Sequence, residues 1–181
     1  RTQEVNVALQ LRGQRIVEDM NFMRVLLGRI SVQNIAELFE QYGDRLLQRN
    51  IRRYLGLKNN RVNMAIQNTL LSDKADNFYF YNNGITVVCD KLEYNAFQTD
   101  DNIVRLKNMQ IINGGQTCKT IHETLKSSPG TNVASAYVMI RIYQLEEDSR
   151  DFIQDITYAT NSQNPVDLRD LRSNDELQKT L

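Results

Sequence analysis

Residues 78–90 read FYFYNNGITVVCD, and this stretch decides the fold class. Two runs rich in aromatic and β-branched residues, 78–81 and 85–89, flank an Asn-Asn-Gly tripeptide at 82–84. Asn-Gly between two such runs predicts a β-hairpin, because both turn residues tolerate a positive φ. Further runs that predict strands lie at 92–97, 103–106, 109–112 and 133–145. We therefore expect a mixed β-sheet over about residues 77–145.

The segments on either side of this sheet show helical spacing of apolar residues, so the predicted class is α+β with helices flanking the sheet. A strand is expected within 1–12, and helices near 18–27, 35–43, 60–71, 117–125 and 152–159. We expect residues 1–72 to form an N-terminal strand and helical segment, and residues 73–181 to form the α+β core. The two are expected to pack as one compact unit. The chain begins at Arg1 without a methionine, so a fragment of a longer protein is expected.

The composition excludes several classes of protein. The chain has 181 residues, of which 41% are hydrophobic and 24% charged, as in a soluble globular protein. Its formal net charge is zero, so electrostatic attraction to nucleic acid must come from a local patch. No apolar run is long enough to span a bilayer, so no membrane is expected among the partners. With one histidine, His122, and with Cys89 and Cys118 expected to be buried thiols, no bound metal is expected.

The most distinctive candidate site is the turn between the predicted strand at 109–112 and the helix that follows it. Its residues are Asn113, Gly114, Gly115, Gln116 and Thr117. Such a turn leaves backbone N–H groups free at the positive end of a helix, where they bind anions such as phosphate. The two glycines would let the backbone bend sharply and approach a ligand closely. The alternative is a plain strand-to-helix connection whose glycines serve packing.

Two further loops carry amide side chains, which both donate and accept hydrogen bonds and can read a base edge or a sugar. They comprise Asn82, Asn83 and Gly84 in the first loop, and Asn161, Gln163 and Asn164 in the second. The first set is also explained by the turn alone. Arg141 lies on an otherwise apolar strand, where an arginine needs an anionic partner. That partner is either a ligand phosphate or an aspartate.

Charge is unevenly spread, because no acidic residue lies between positions 44 and 73. Arg49, Arg52 and Arg53 fall there at i, i+3 and i+4, so on a helix they share one face and would form a patch for a nucleic-acid backbone. The alternative is a solvated face that pairs with the acidic residues at 146–155. The candidate catalytic acids are Asp90 and Glu93, which lack the converging pair of acids and lysine that a metal-dependent nuclease uses.

Six blocks of the sequence resemble the AIPR (abortive infection phage resistance) family, in the family's order. They are RNIRRYLG (49–56), VN..I..TL (62–70), FYFYNNGITVVCD (78–90), QIINGGQT (110–117), VMIRI (138–142) and ATNSQNPVDLRDL (159–171). The resemblance implies a bacterial, cytoplasmic protein of phage defence. A more distant similarity, to DGQHR-type proteins and the ParB/sulfiredoxin group, implies a strand, a glycine-centred turn and a helix that hold nucleotide phosphates. The arginines that follow the glycine in that group are replaced here by Thr117 and Cys118.

Residues and resemblance together predict a nucleotide- or nucleic-acid-binding module of a phage-defence protein. In this prediction the 113–117 turn contacts phosphate, the amide loops read base or sugar, and the arginines at 49–53 contact the nucleic-acid backbone. A nucleotide is the one cofactor that these features suggest. Two alternatives stay open. One is a nuclease or phosphoryl-transfer enzyme with catalytic acids partly outside this sequence, and the other is an interaction scaffold that senses a phage or host protein.

Overall fold

The computed structural model describes residues 4–20, 23–48, 61–80, 83–131, 133, 135–145 and 154–155. The chain divides into two compact units, Arg1–Glu147 and Asp148–Leu181. In the second unit the described residues are 154 and 155, and both are helical. The first unit holds the sheet and helices described below. Its strands and helices confirm the predicted α+β class.

The strands of the sheet are β1 Val7–Met20, β2 Met23–Ser31, β3 Ile85–Cys89, β4 Lys91–Glu93, β5 Asn102–Lys107, β6 Gln110–Asn113 and β7 Tyr137–Gln144. The α-helices of this unit are α1 Val32–Tyr42, α2 Arg61–Leu70 and α3 Gly115–Ser127. Two short 3₁₀ helices, Gly43–Leu47 and Ala75–Phe80, follow α1 and precede β3. Among the residues that the structure describes, no helix has the length and apolar character needed to cross a membrane.

The seven strands form one mixed sheet in the order β4-β5-β1-β2-β7-β3-β6. Neighbouring strands are antiparallel except β3 and β7, which run parallel. The mixed sheet predicted for residues 77–145 is therefore present, and it is wider than predicted. The hairpin of β1 and β2 lies in its centre, between β5 and β7, so the sheet takes strands from both sides of residue 72.

One face of the sheet packs on the hydrophobic core, and strand alternation places every second side chain on the opposite face. Val7, Leu9 and Leu11 of β1 belong to the core, and the residues between them are exposed. β5 repeats this pattern with Val104 and Leu106. β3 differs, because all five of its residues are buried. We call the face that points away from the core the outer face.

Helices α1 and α3 pack against each other and contribute side chains to the core. Ser31 caps α1 by accepting a hydrogen bond from the helix backbone. An ion pair connects α3 with the 3₁₀ helix after α1, and a hydrogen bond connects α3 with α1. Nζ of Lys119 lies 2.7 Å from Oδ1 of Asp44, and Nε2 of His122 lies 2.6 Å from Oε2 of Glu40.

The helix predicted at residues 18–27 is wrong, because these residues belong to β1 and β2. Glu18 pairs with Val25 in the hairpin, and Leu26 packs in the core. The reason is tertiary: β7 pairs with β2 from Arg24 to Ser31, and this ladder outweighs a weak helical spacing.

The hairpin predicted across residues 82–84 is also wrong. Its expected first strand is replaced by the 3₁₀ helix Ala75–Phe80, in which Phe78 is 1% exposed and packs in the core. β3 already pairs with β6 on one side and β7 on the other. Because both edges of β3 are already paired, residues 78–81 cannot form a strand beside it. The Phe78 side chain packs in the core instead.

Candidate functional site

The candidate site lies at the end of the sheet where β6 ends and β3 begins. β3 is antiparallel to β6 and parallel to β7, and Thr86 on β3 is the direct Cα partner of Asn113 on β6 and of Arg141 on β7. Directly paired residues share a face of a sheet, here the outer face. The structure thereby brings the 113–117 turn and Arg141 together.

Two glycines with positive φ, Gly84 and Gly114, allow the loop before β3 and the turn before α3 to pack closely at this end of the sheet. Gly114, with φ 86° and ψ 12°, is the N-cap of α3. A Cβ on Gly114 would lie 2.7 Å from Cγ2 of Ile85 and 2.9 Å from the carbonyl oxygen of Gly84. Gly84, with φ 80°, faces the carbonyl oxygen of Met139, which its own Cβ would approach to 2.7 Å. The predicted loop at 83–84 and the turn at 113–117 are therefore in direct contact, and Gly114 serves this packing.

The first turn of α3 presents backbone N–H groups at the same end of the sheet. Cys118 N–H donates the first helical hydrogen bond, to the Gly114 carbonyl at 3.1 Å, and no side chain caps the helix. The N–H groups of Gly115, Gln116 and Thr117 therefore have no partner within the helix. Together with the positive end of the helix dipole they favour an anion.

Arg141 is the cation nearest to this turn in the ladder. Its Nη1 donates a long hydrogen bond, 3.4 Å, to the carbonyl oxygen of Asn83. Within the described ranges, no carboxylate is ion-paired with Arg141. The side chain is half-buried. Among the described residues, the Asn83 carbonyl is the one hydrogen-bond acceptor of this guanidinium, which carries five N–H donors.

Thr86 is a site residue that the sequence did not single out. Its side chain is 0% exposed, and its Oγ1 has no hydrogen-bond partner among the described residues. A buried hydroxyl without a partner costs about 1–3 kcal/mol, so it usually has a reason to be retained. In the ladder this residue lies between Asn113 and Arg141.

Several predicted site residues lie outside the described residues. They are Asn82 of the first amide loop, Asn161, Gln163 and Asn164 of the second, and the basic patch Arg49, Arg52 and Arg53. Their part in the site stays a prediction. The described members of the predicted site are Asn83, Gly84, the 113–117 turn and Arg141.

The candidate catalytic acids lie elsewhere and have partners of their own. Asp90 accepts a hydrogen bond from Nδ2 of Asn108 at 3.1 Å, and Glu93 forms an ion pair with Lys91 at 3.1 Å. Asp90 follows the last residue of β3, whereas Thr86 lies at its beginning. In the part of the chain that the structure describes, no three His, Cys, Asp or Glu side chains converge as metal ligands would.

The thiols and the Glu40 carboxyl have perturbed pKa values with structural causes. Burial raises the pKa of Cys89 and of Cys118 to about 12, which makes both thiols poor nucleophiles at neutral pH. The hydrogen bond with His122, followed by the charge of Lys126, lowers the pKa of Glu40 below its ordinary value. These shifts follow from the packing and pairing of the fold and indicate no catalytic group.

Comparison with known proteins identifies the family. The family model described as AIPR protein matches residues 47–181, which is most of the chain and includes the 113–117 turn, Asn83 and Arg141. No curated protein and no solved structure matches the chain. The distant similarity to DGQHR-type and ParB/sulfiredoxin proteins stays a prediction. The chain belongs to the AIPR family.

Proposed function

We propose that this chain is the phosphate-binding module of a phage-defence protein, with a nucleotide or a nucleic acid as its ligand. Membership of the AIPR family, named for abortive infection phage resistance, indicates the phage-defence role. A module of this kind would act in the bacterial cytoplasm, where phage and host nucleic acids are both present.

The observation that supports the proposal is the pairing of Thr86 with Arg141. Thr86 offers a buried hydroxyl without a partner, and Arg141 offers a guanidinium without a carboxylate among the described residues. The α3 N-terminus begins directly after Asn113, the other ladder partner of Thr86. Hydroxyl, guanidinium and helix N–H groups are the donors that phosphate oxygens accept from in proteins.

The amide side chains complete the proposal. Asn83 and Asn113 lie at this end of the sheet, and amides recognise a base edge or a sugar by donating and accepting together. The amides at 161–164 and the arginines at 49–53 lie outside the described residues, and their part in ligand binding stays a prediction from the sequence. The enzymatic alternative has less support, because Asp90 follows the last residue of β3 and Glu93 lies on β4, whereas Thr86 lies at the beginning of β3.

The proposal is tested by calorimetric titration of the chain with ATP, CTP and inorganic phosphate. Arg141→Ala should weaken binding by roughly 10–100-fold, because a hydrogen bond to a charged group contributes about 1.5–3 kcal/mol. Thr86→Val keeps the shape of the side chain and removes the hydroxyl. It should weaken binding by roughly 2–10-fold while leaving the free protein equally or more stable.

Thr124→Val is the matched control. Thr124 on α3 is also fully buried with an unpaired hydroxyl among the described residues, and it lies roughly two and a half helical turns from Gly115. The control should leave the protein equally or more stable, as Thr86→Val does, and should leave ligand affinity unchanged. If Arg141→Ala and Thr86→Val both bind every tested ligand as the wild type does, the phosphate site is elsewhere and the proposal is wrong.

A further inference from the structure

The outer face of the sheet carries an excess of positive charge that the sequence disperses over five strands. The register fixes which residues lie there, since directly paired residues share a face. On the described positions of β4, β5, β1, β2 and β7, six basic and two acidic residues point outward, although the formal net charge of the chain is zero. They are Lys91, Lys107, Arg105, Arg12, Arg29 and Arg141, with Glu93 and Glu18.

Five of these residues, Lys107, Arg105, Arg12, Arg29 and Arg141, form a diagonal line that we call the basic track. Arg105 on β5 is paired with Ala8 on β1, four residues before Arg12. Arg12 is paired with Arg29 on β2. Arg29 in turn is paired with β7 two residues before Arg141. With strands about 4.8 Å apart and about 3.4 Å per residue, the Cα atoms of Arg105 and Arg141 are roughly 25 Å apart. This length is enough to contact several successive phosphates of one nucleic-acid strand, which are spaced at about 3.4 Å or more along the strand.

The middle of the basic track is held in position by local contacts. The Arg29 guanidinium lies 5.0 Å from the centre of the Tyr137 ring. Gly13, with φ 73°, makes room for it, because a Cβ there would lie 2.6 Å from Nη2 of Arg29. Arg12 pairs with Asp101 at 2.9 Å, and both side chains are about half exposed. A solvent-exposed pair of this kind contributes little stability, so a phosphate can replace the carboxylate.

An exposed aromatic ring lies in the loop whose last residue, Asp101, contacts the track at Arg12. Phe97 is 94% exposed, at the tip of the loop between β4 and β5. Arg15 fixes this loop by donating from Nη1 to the Gln98 carbonyl at 2.6 Å and from Nη2 to the Asn95 carbonyl at 2.7 Å. The same loop ends at the aspartate that pairs with Arg12. A ring held out in this way is a platform on which an unpaired base can stack.

The far end of the track opens into a groove. Lys91, Arg105, Lys107 and Asn6 are among the residues that line it, and its volume is about 500 Å³. Glu93 lies in the same groove and pairs with Lys91, which leaves the charges of Arg105 and Lys107 in excess. The positive potential of the face therefore extends to the edge of the sheet opposite Arg141.

We infer that the basic track binds the backbone of a single-stranded nucleic acid and leads it to the phosphate site at Arg141, an inference that rests on the proposed function. The charge excess favours an anionic ligand, and the length of the track favours a polymer over a free nucleotide. The exposed Phe97 ring favours unpaired bases, whose faces are free to stack.

The test measures fluorescence anisotropy of a labelled oligo(dT) of about 12 nucleotides with the full chain, between about 50 and 200 mM salt. The variant Arg105→Gln with Lys107→Gln removes two charges far from Arg141. The slope of log affinity against log salt should become shallower by roughly 1.4, and affinity at low salt should fall roughly tenfold or more. The affinities for ATP and inorganic phosphate should not change.

Two further variants sharpen the test. Phe97→Ala should weaken oligo(dT) binding by roughly fivefold or more, because base stacking is lost, and should leave ATP binding unchanged. The control Lys74→Gln with Lys126→Gln removes the same charge from the turn before the 3₁₀ helix Ala75–Phe80 and from the end of α3. It should leave oligo(dT) affinity and its salt slope as in the wild type.

The outcomes separate this inference from the proposed function. If ATP or phosphate binds through Arg141 but oligo(dT) binding ignores the Arg105 and Lys107 changes, the inference is wrong and the proposed function survives. Equal affinity for a DNA duplex with no effect of Phe97→Ala, or full competition by polyglutamate, would also overturn it in favour of duplex or acidic protein. If none of the ligands binds, both fail.

Discussion

Replacing Gly114 with alanine tests whether the 113–117 turn is locked by packing against β3. The added Cβ would meet Cγ2 of Ile85 at 2.7 Å and the Gly84 carbonyl oxygen at 2.9 Å, and the φ of 86° is strained for an L-residue. A left-handed backbone costs roughly 1–2 kcal/mol and overpacking about 1–3 kcal/mol, offset by up to about 1 kcal/mol from a stiffer unfolded chain. The free energy of unfolding should therefore fall by about 1–5 kcal/mol.

Urea unfolding followed by circular dichroism measures this loss. Gly130→Ala is the control, because a Cβ on Gly130 would have no atom within 4 Å and the φ of this residue is not positive, so its effect should stay within about 1 kcal/mol. Gly114→Asn separates the two causes, since asparagine tolerates the left-handed backbone but keeps the Cβ. Asparagine should not restore wild-type stability. A Gly114→Ala protein as stable as the Gly130→Ala protein would refute the packing explanation.

Two further predictions follow from the pKa shifts. Burial raises the pKa of Cys89 and Cys118 to about 12. Thiol reagents at about pH 8 should therefore label neither residue in the native chain and both after unfolding, as measured by mass spectrometry. Rapid labelling of the native chain would contradict the burial of these thiols. The pKa of Glu40 is lowered in the fold, so its ionised carboxylate stabilises the native state above the ordinary value of 4.5, and this stabilisation is lost as the pH falls through the lowered pKa. Glu40→Gln should therefore reduce the melting temperature slightly at about pH 7 and not in acid. An equal reduction at both pH values would argue against the His122 contact as the cause.

The sequence predicted those elements whose apolar spacing is local. The runs at 103–106 and 133–145 correspond to β5 and β7, and the glycine turn at 113–117 does start a helix. The order of the strands could not be read in this way, because β3 pairs with β7 through residues far apart in sequence. The strand prediction at 78–81 is wrong because strand propensity does not reveal that Phe78 is needed in the core.

The candidate site shows the same division. The turn and Arg141 could be proposed from residue type alone, since glycines before a helix and an arginine on an apolar strand are unusual. Thr86 could not, because a threonine within ITVVC is an ordinary strand residue, and only the register places it beside Arg141. The basic track could not be predicted either, because Arg12 and Arg29 are far apart in the sequence and only strand pairing places them side by side on one face.

The central position of the β1–β2 hairpin has a consequence for domain boundaries. The family match begins at residue 47, yet β1 and β2 precede that residue and join β5 to β7. A polypeptide cut at the start of the match would lose the middle of its sheet and expose two unpaired strand edges, each a template for aggregation. The family match thus begins inside the unit that folds, and a polypeptide made for expression should keep β1 and β2 together with the matched residues.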